Sequence, residues 1–179
     1  MAQVSSLRWL SIIDGRMWGP GLSELAKLPR LERLCIHQSR GQISDRHIAC
    51  LEGLRHLKSL TFWSAGCNPL TDASLASISK LDDLEELYFI RVMPKFTPAG
   101  LVHLENLKHL KKVDFAQTWA GPVGVESGDE VARQLAAMSQ LESIEGLSYL
   151  SAEGLKAIAA LRNLQCLGMA LKDRRQDYY

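Results

Sequence analysis

The chain has 179 residues, 46% apolar and 23% charged, with 21 basic against 20 acidic side chains and a net charge of +1. That is the composition of an ordinary soluble chain long enough for one domain, and so small a net charge gives no long-range pull on nucleic acid. No apolar run approaches the roughly 18 residues that cross a bilayer, and Met1-Ala2-Gln3-Val4-Ser5-Ser6 lacks the basic-then-apolar order of a secretory leader, so neither a membrane nor nucleic acid is an expected partner.

Along the chain one pattern keeps returning. A partial copy opens at Leu10/Ile12, and the first full copy follows as Leu25-x-x-Leu28-x-x-Leu31-x-x-Leu34-x-Ile36. Later tightened pairs fall at Leu60/Phe62, Leu87/Phe89, Val113/Phe115, Ile144/Gly146 and Leu167/Met169, at intervals of about 23 to 31 residues, the range of leucine-rich repeats. In phase with them, Ser44, Thr71, Thr97, Ser127 and Ser151 each precede an apolar residue by four, as helix N-caps would. Pro98 follows Thr97 at the first helical position, where a missing N–H costs nothing, and Ser127-Gly128-Asp129-Glu130 reads as a capping box. Each unit therefore runs strand, loop, capped short helix, turn, strand. Leu75, Ile78 and Leu81 give the helix one apolar stripe, and Leu87-Tyr88-Phe89 alternates as a half-buried strand does.

Two dozen residues cannot bury their own leucines; stacked units make them a continuous core. Each strand–helix–strand step is expected to be a right-handed crossover, giving a parallel sheet with helices behind it. Helices are wider than strands, so the stack is expected to curve.

Leu70-Thr71-Asp72-Ala73-Ser74-Leu75 and Thr97-Pro98-Ala99-Gly100-Leu101 resemble the T-D-A-G-L helix start of bacterial leucine-rich repeat proteins, and Leu81-Asp82-Asp83-Leu84-Glu85-Glu86-Leu87-Tyr88-Phe89 is similar to their strand signature. The resemblance covers nearly the whole chain. It implies a single α/β domain over 1–179, a right-handed leucine-rich repeat solenoid or horseshoe with its parallel sheet on the concave face and short helices on the convex face. Partners in that family usually dock on the concave face. Two departures stand out. Ser39, Val92 and Thr118 lie near where an Asn often closes the strand turn, and the fifth strand motif decays to Ile144-Glu145-Gly146, leaving the chain path there open.

Between the inward leucines, alternation sends other side chains to the concave wall. One column reads Trp9, Arg33, Ser59, Glu86, Lys112, Ser143, Cys166; the next Ser11, Cys35, Thr61, Tyr88, Asp114, Glu145, Gly168; the third Ile13, His37, Trp63, Ile90, Ala116, Leu147, Ala170. Aromatic anchors in a polar surround are typical of interface hot spots, which singles out Trp9, Arg33, His37, Trp63, Glu86, Tyr88, Ile90, Lys112 and Asp114 as partner-binding candidates. The competing reading has Trp18, Trp119 or Met93 folding over the Trp63 strip as an extension of the core. Loops after the strands vary in length, so Trp119, in Trp119-Ala120-Gly121-Pro122-Val123-Gly124, is a loop-edge candidate, although Gly and Pro there also serve as plain turn formers. Lys108, His109, Lys111 and Lys112 form a local basic cluster, expected to be answered by Glu105 and Asp114.

No catalytic, metal or phosphate signature emerges, so no cofactor is expected and the chain is not expected to be an enzyme. Cys35 and His37 share a face but stand roughly 7 Å apart at strand geometry, beyond direct hydrogen-bond reach. Cys35 and Cys166 fall roughly 24 Å apart across the sheet, no pair has C-x-x-C spacing, and free thiols fit a reducing, cytoplasmic setting. Both ends read as cut through the pattern: as a piece of a longer array, as surfaces for end-to-end self-association through uncapped units, or as irregular caps, the first being favoured. The expected function is a non-catalytic scaffold binding a protein or peptide; the alternative is a structural or assembly segment of a larger leucine-rich repeat receptor or adaptor.

Overall fold

The computed structural model describes residues 5–13, 20–38, 43–64, 70–92, 94–115, 128–148 and 150–170. Along them run β1 (Trp9–Ile13), α1 (Pro20–Ser23) continuing into the 3₁₀ turn η1 (Glu24–Lys27), β2 (Arg33–Gln38), α2 (Asp45–Ala49), β3 (Ser59–Ser64), α3 (Asp72–Ile78), β4 (Glu86–Ile90), the 3₁₀ helix η2 (Ala99–Asn106), β5 (Lys112–Asp114), α4 (Gly128–Ala136), β6 (Ser143–Ser148), α5 (Ala152–Ile158) and β7 (Cys166–Ala170). The seven strands form one parallel sheet in chain order, β1 to β7. Parallel neighbours need a crossover, and each crossover carries a helix.

One carbonyl per unit sets the register. Arg8 O accepts from the N–H groups of Glu32 and Arg33, Glu32 O from Lys58 and Ser59, Lys58 O from Glu85 and Glu86, and the same fork repeats at Glu85, Lys111 and Glu142. Leu34, Leu60, Leu87, Val113 and Ile144 are thereby aligned side by side and turned inward, each at most 1% exposed. Deeper along the strands Phe62, Phe89 and Phe115 stack with ring centroids 5.4 and 5.9 Å apart, and Phe96 meets Phe89 edge-on at 5.1 Å. Burying each such side chain is worth about 1.5–3 kcal/mol. Val92, at the strand-turn position where a hydrogen-bonding Asn was absent from the sequence, is fully buried, so an apolar plug fills that place.

Both helix types bury an apolar stripe, in α3 (Leu75, Ile78) as in η2 (Leu101, Leu104) at intervals of three. Leu101, Leu104, Leu107 and Leu110 recur at threes and all are fully buried; a 3₁₀ helix, with three residues per turn, keeps i and i+3 on one line. In α4 the buried set Val131, Ala132, Leu135 follows the 3.6 period, and the helix is α.

The helix starts are joined from coil to coil by a carboxylate clasp that the sequence reading missed. Asp45 accepts the Thr71 N–H (2.8 Å) and hydroxyl (2.7 Å) and the Ser74 hydroxyl; Asp72 accepts the Thr97 N–H (2.8 Å) and hydroxyl (2.7 Å); Asp129 accepts the Ser151 N–H (2.8 Å) and hydroxyl. The same hydroxyls accept from their own helices: Thr71 from Ala73 N–H, Thr97 from Gly100 N–H and Ser151 from Glu153 N–H. Only a hydroxyl both donates and accepts at one atom, which explains why these caps are Ser or Thr and not Asp. At two of the three clasps the residue three past the cap is glycine, where a Cβ on Gly100 would lie 2.0 Å from Asp72 Oδ1 and one on Gly154 2.2 Å from Asp129 Oδ1; at the other, Ser74 meets Asp45 through its hydroxyl. Pro98 occupies the place held by Asp45 and Asp72 in earlier coils and has no carboxylate to offer. The expected Ser127–Glu130 box involves a residue outside the described set; the Glu130 carboxylate takes the Arg133 guanidinium at 2.9 Å from Nε.

The fifth motif is corrected. Strand β6 carries a register shift between Ile144 and Leu147, with Gly146 at φ 82°, the left-handed conformation glycine tolerates. The extra residue makes the inward pair Ile144 and Leu147, so Leu147, read as part of the exposed third column, is 1% exposed and core.

Asp72→Ala and Gly100→Ala are each expected to lower stability by about 1–3 kcal/mol, and the double variant by less than the sum, because the alanine methyl then fills the space the carboxylate leaves; denaturant melts of the four proteins measure the coupling. Burial opposes the charged form of Asp45, but hydrogen bonds from Ser74 and Thr71 outweigh it and hold this carboxyl below the ordinary range; the Ser151 hydroxyl and amide do the same for Asp129. With folded values depressed, this stabilisation is full above the unfolded value of about 4 and is lost as pH falls through the folded ones. The denaturation midpoint should drop on acidification below about pH 4, and Asp45→Asn should flatten part of that slope.

Candidate functional site

The sheet face turned away from the helices carries the columns read from the sequence. Pairing aligns Trp9, Arg33, Ser59, Glu86, Lys112, Ser143 and Cys166 across all seven strands, then Ser11, Cys35, Thr61, Tyr88, Asp114 and Glu145, then Ile13, His37, Trp63 and Ile90. Trp9 is 65% exposed and Arg33 is exposed, while His37, Trp63, Glu86, Tyr88, Ile90 and Lys112 are half-buried. Asp114 departs from the expectation of an exposed wall residue: at 9% exposure it is buried, paired to Tyr88 on β4 and acting on Lys112. Trp119, together with the covering candidates Trp18 and Met93 and the column member Ala116, lies outside the described residues.

Two clusters form on this face. At the ends of β2 to β4, the His37 and Trp63 rings meet edge-on with centroids 3.8 Å apart, and the Arg91 guanidinium lies 5.4 Å from the centre of the Trp63 ring. His37 Nε2 is buried with no hydrogen-bond partner among the described residues. Arg91 holds φ 55°, the sole non-glycine residue described with a positive φ, and is exposed. The side chain reaches back over the neighbouring strand's tryptophan, where an arginine is attracted to the ring face. The sequence reading overlooked Arg91 because an arginine after a strand carries no sign of left-handed backbone.

The second cluster spans β4 to β6. Lys112 Nζ sits 2.9 Å from Glu145 Oε1 and 5.4 Å from the centre of the Tyr88 ring. The hydrogen bond that the Lys112 ammonium donates to Glu145 is the main cause that raises it above its usual range. Burial first, then the Glu86 charge, pushes the Tyr88 phenol up. The basic cluster is answered from the following coil as well as its own: Lys112 pairs with Glu145 and Lys111 with Glu142 at 3.7 Å, the expected Asp114 adds its charge at Lys112, and Lys108 reaches the Glu105 carbonyl at 2.7 Å, not its carboxylate. Stacking places the carboxylate of one coil beside the lysine of the last, a neighbour that local sequence does not reveal. The positional histidines behave similarly, with His56 Nδ1 3.0 Å from Asp83 of the next coil.

Cys35, Cys50 and Cys166 are free thiols, and burial raises Cys35 against the opposing hydrogen bond from Ser11, which makes it a poorer nucleophile. Among the described residues no group of three or more His, Cys, Asp or Glu could hold a metal ion, and no helix is long and apolar enough to cross a membrane.

No known family model and no curated protein matches the chain. Solved structures do. An internalin (inlF) from Listeria monocytogenes matches over 96% of this chain and 51% of its own, at 19% identity and a TM-score of 0.54. Internalin C2 (inlC2) from the same organism matches over 96% of this chain and 66% of its own, at 18% identity and a TM-score of 0.61. The chain thus spans about half to two thirds of the length of these structures. Internalins are leucine-rich repeat proteins, and with the seven-stranded parallel sheet backed by helices the likeness gives this chain a leucine-rich repeat fold of the α/β solenoid type.

Removing the Glu86 charge should ease Tyr88 ionisation: in an ultraviolet pH titration Glu86→Gln is expected to shift the highest tyrosine transition downward, and Lys112→Met to shift it upward.

Proposed function

We propose that this chain is a non-catalytic protein-interaction scaffold, a right-handed horseshoe whose sheet is the concave wall and takes a protein or peptide. The observation that carries the reading is the in-register wall itself, a stiff sheet presenting Trp9, Trp63 and Tyr88 outward among polar neighbours. Rigid aromatic anchors give contact area at little entropic cost. The raised Cys35 thiol, with no carboxylate from a neighbouring strand beside His37, speaks for binding over catalysis. Free thiols suit a reducing cytoplasm. In this reading residues 1–179 act as one repeat domain.

A second reading is a structural or assembly segment of a larger leucine-rich repeat receptor or adaptor, including end-to-end self-association. It is favoured by apolar side chains exposed at the outermost strands, Ile13 at 65% and Met169 at 47%.

Proteins co-purifying with the chain identify a partner, and calorimetry with it tests the face. Trp63→Ala and Tyr88→Ala are each expected to weaken binding about tenfold or more; parent-like affinity in both rejects the face. Adding polar cap repeats at both ends separates the readings: binding that survives favours the scaffold, and its loss favours assembly through the outermost strands.

A further inference from the structure

Charge on the open face is segregated. Across β1 to β3 the outward residues include Arg33 and no acid, and Arg91 leans back over this half onto Trp63; across β4 to β6 stand Glu86 and Glu145, with Asp114 buried beneath them, against a single Lys112, itself held by Glu145. The Arg91 ion pairs with no carboxylate among the described residues, unlike Arg8, Arg55 and Arg133. Stacking on an aromatic occupies the guanidinium's flat face and leaves its in-plane N–H fork to a carboxylate. A left-handed backbone at a non-glycine residue is sparsely populated and persists where surrounding structure or function holds it.

Building on the scaffold reading, we infer that the open face recognises an extended peptide segment of complementary polarity, with an acidic side chain on the Arg91–Trp63 platform and a basic side chain over Glu86 and Tyr88. Tyr88 and Ile90 lie two residues apart on β4, and Trp63 is paired to Ile90 on the adjacent strand, so Tyr88 and Trp63 are about 8 Å apart and, with Glu86 two residues further along β4, the two poles fall about two to four peptide residues apart at about 3.3 Å per residue. The acidic half repels a uniformly acidic partner and the arginines repel a uniformly basic one, so the pattern selects by exclusion as well as attraction.

The test is selection from a random displayed peptide library on the immobilised parent chain, followed by titration of the resynthesised winners. Winners should carry an acidic and a basic residue, should weaken with added salt, and should lose about tenfold or more in affinity for Arg91→Gly and for Glu86→Lys. Arg91→Gly should melt no lower than the parent, because glycine adopts φ 55° without strain; a clear drop in melting temperature, repeated in Arg91→Asn, makes Arg91 a brace for Trp63 and overturns the inference. Winners that bind parent and both charge variants equally, yet fail on Trp63→Ala, also overturn it and leave the scaffold reading standing. If no winner depends on Trp63 or Tyr88, the scaffold reading falls with it.

Discussion

A coil of about two dozen residues has too little surface to dry its own leucines, and everything else in this molecule answers that constraint. Leu34, Leu60, Leu87, Val113 and Ile144 are buried because the next coil covers them, and the Phe62–Phe89–Phe115 stack exists only because three strands lie in register. The forked carbonyls at each strand entry enforce that register at one edge, and the carboxylate clasps enforce it at the helix starts. Between these two seams the apolar core has no freedom to slip. A one-residue slip would turn every leucine toward water.

The same constraint yields the open face. A side chain between two inward leucines points outward, and a sheet with unbroken parallel register lines such residues into rows. Tyr88 sits between acidic and basic neighbours because Glu86 precedes it by two on its own strand and Lys112 and Asp114 follow on the next. The chemistry of the face is thus a product of three or four separate coils, none of which carries it alone.

Much of this was legible from residue spacing. Leucines at threes and the L-x-L pair gave the strand order, the caps and the columns, since all depend on a period that sequence displays directly. What stayed hidden depends on contact between coils or on single torsions. The Asp45, Asp72 and Asp129 clasps look like ordinary first-turn acids until the following coil is stacked on them. Glycine in Ile144-Glu145-Gly146 looked like decay of the motif, whereas it is an inserted bulge that restores Leu147 to the core. Arg91 gave no hint of its backbone, and Asp114 read as exposed because alternation tells direction and not depth.

The clasp runs from α2 to α3, from α3 to η2 and from α4 to α5, and at the η2–α4 step Pro98 stands where the earlier coils carry the aspartate. Just there the helix is 3₁₀ and β5 is three residues long, the shortest strand of the sheet. The η2–α4 step thus lacks the polar tie that joins the coils on either side of it. In a nearest-neighbour stack the weakest interface decides where bending, partial melting and the spread of strain come to rest. A proline for an aspartate leaves its own helix start intact and removes one link to the coil that follows.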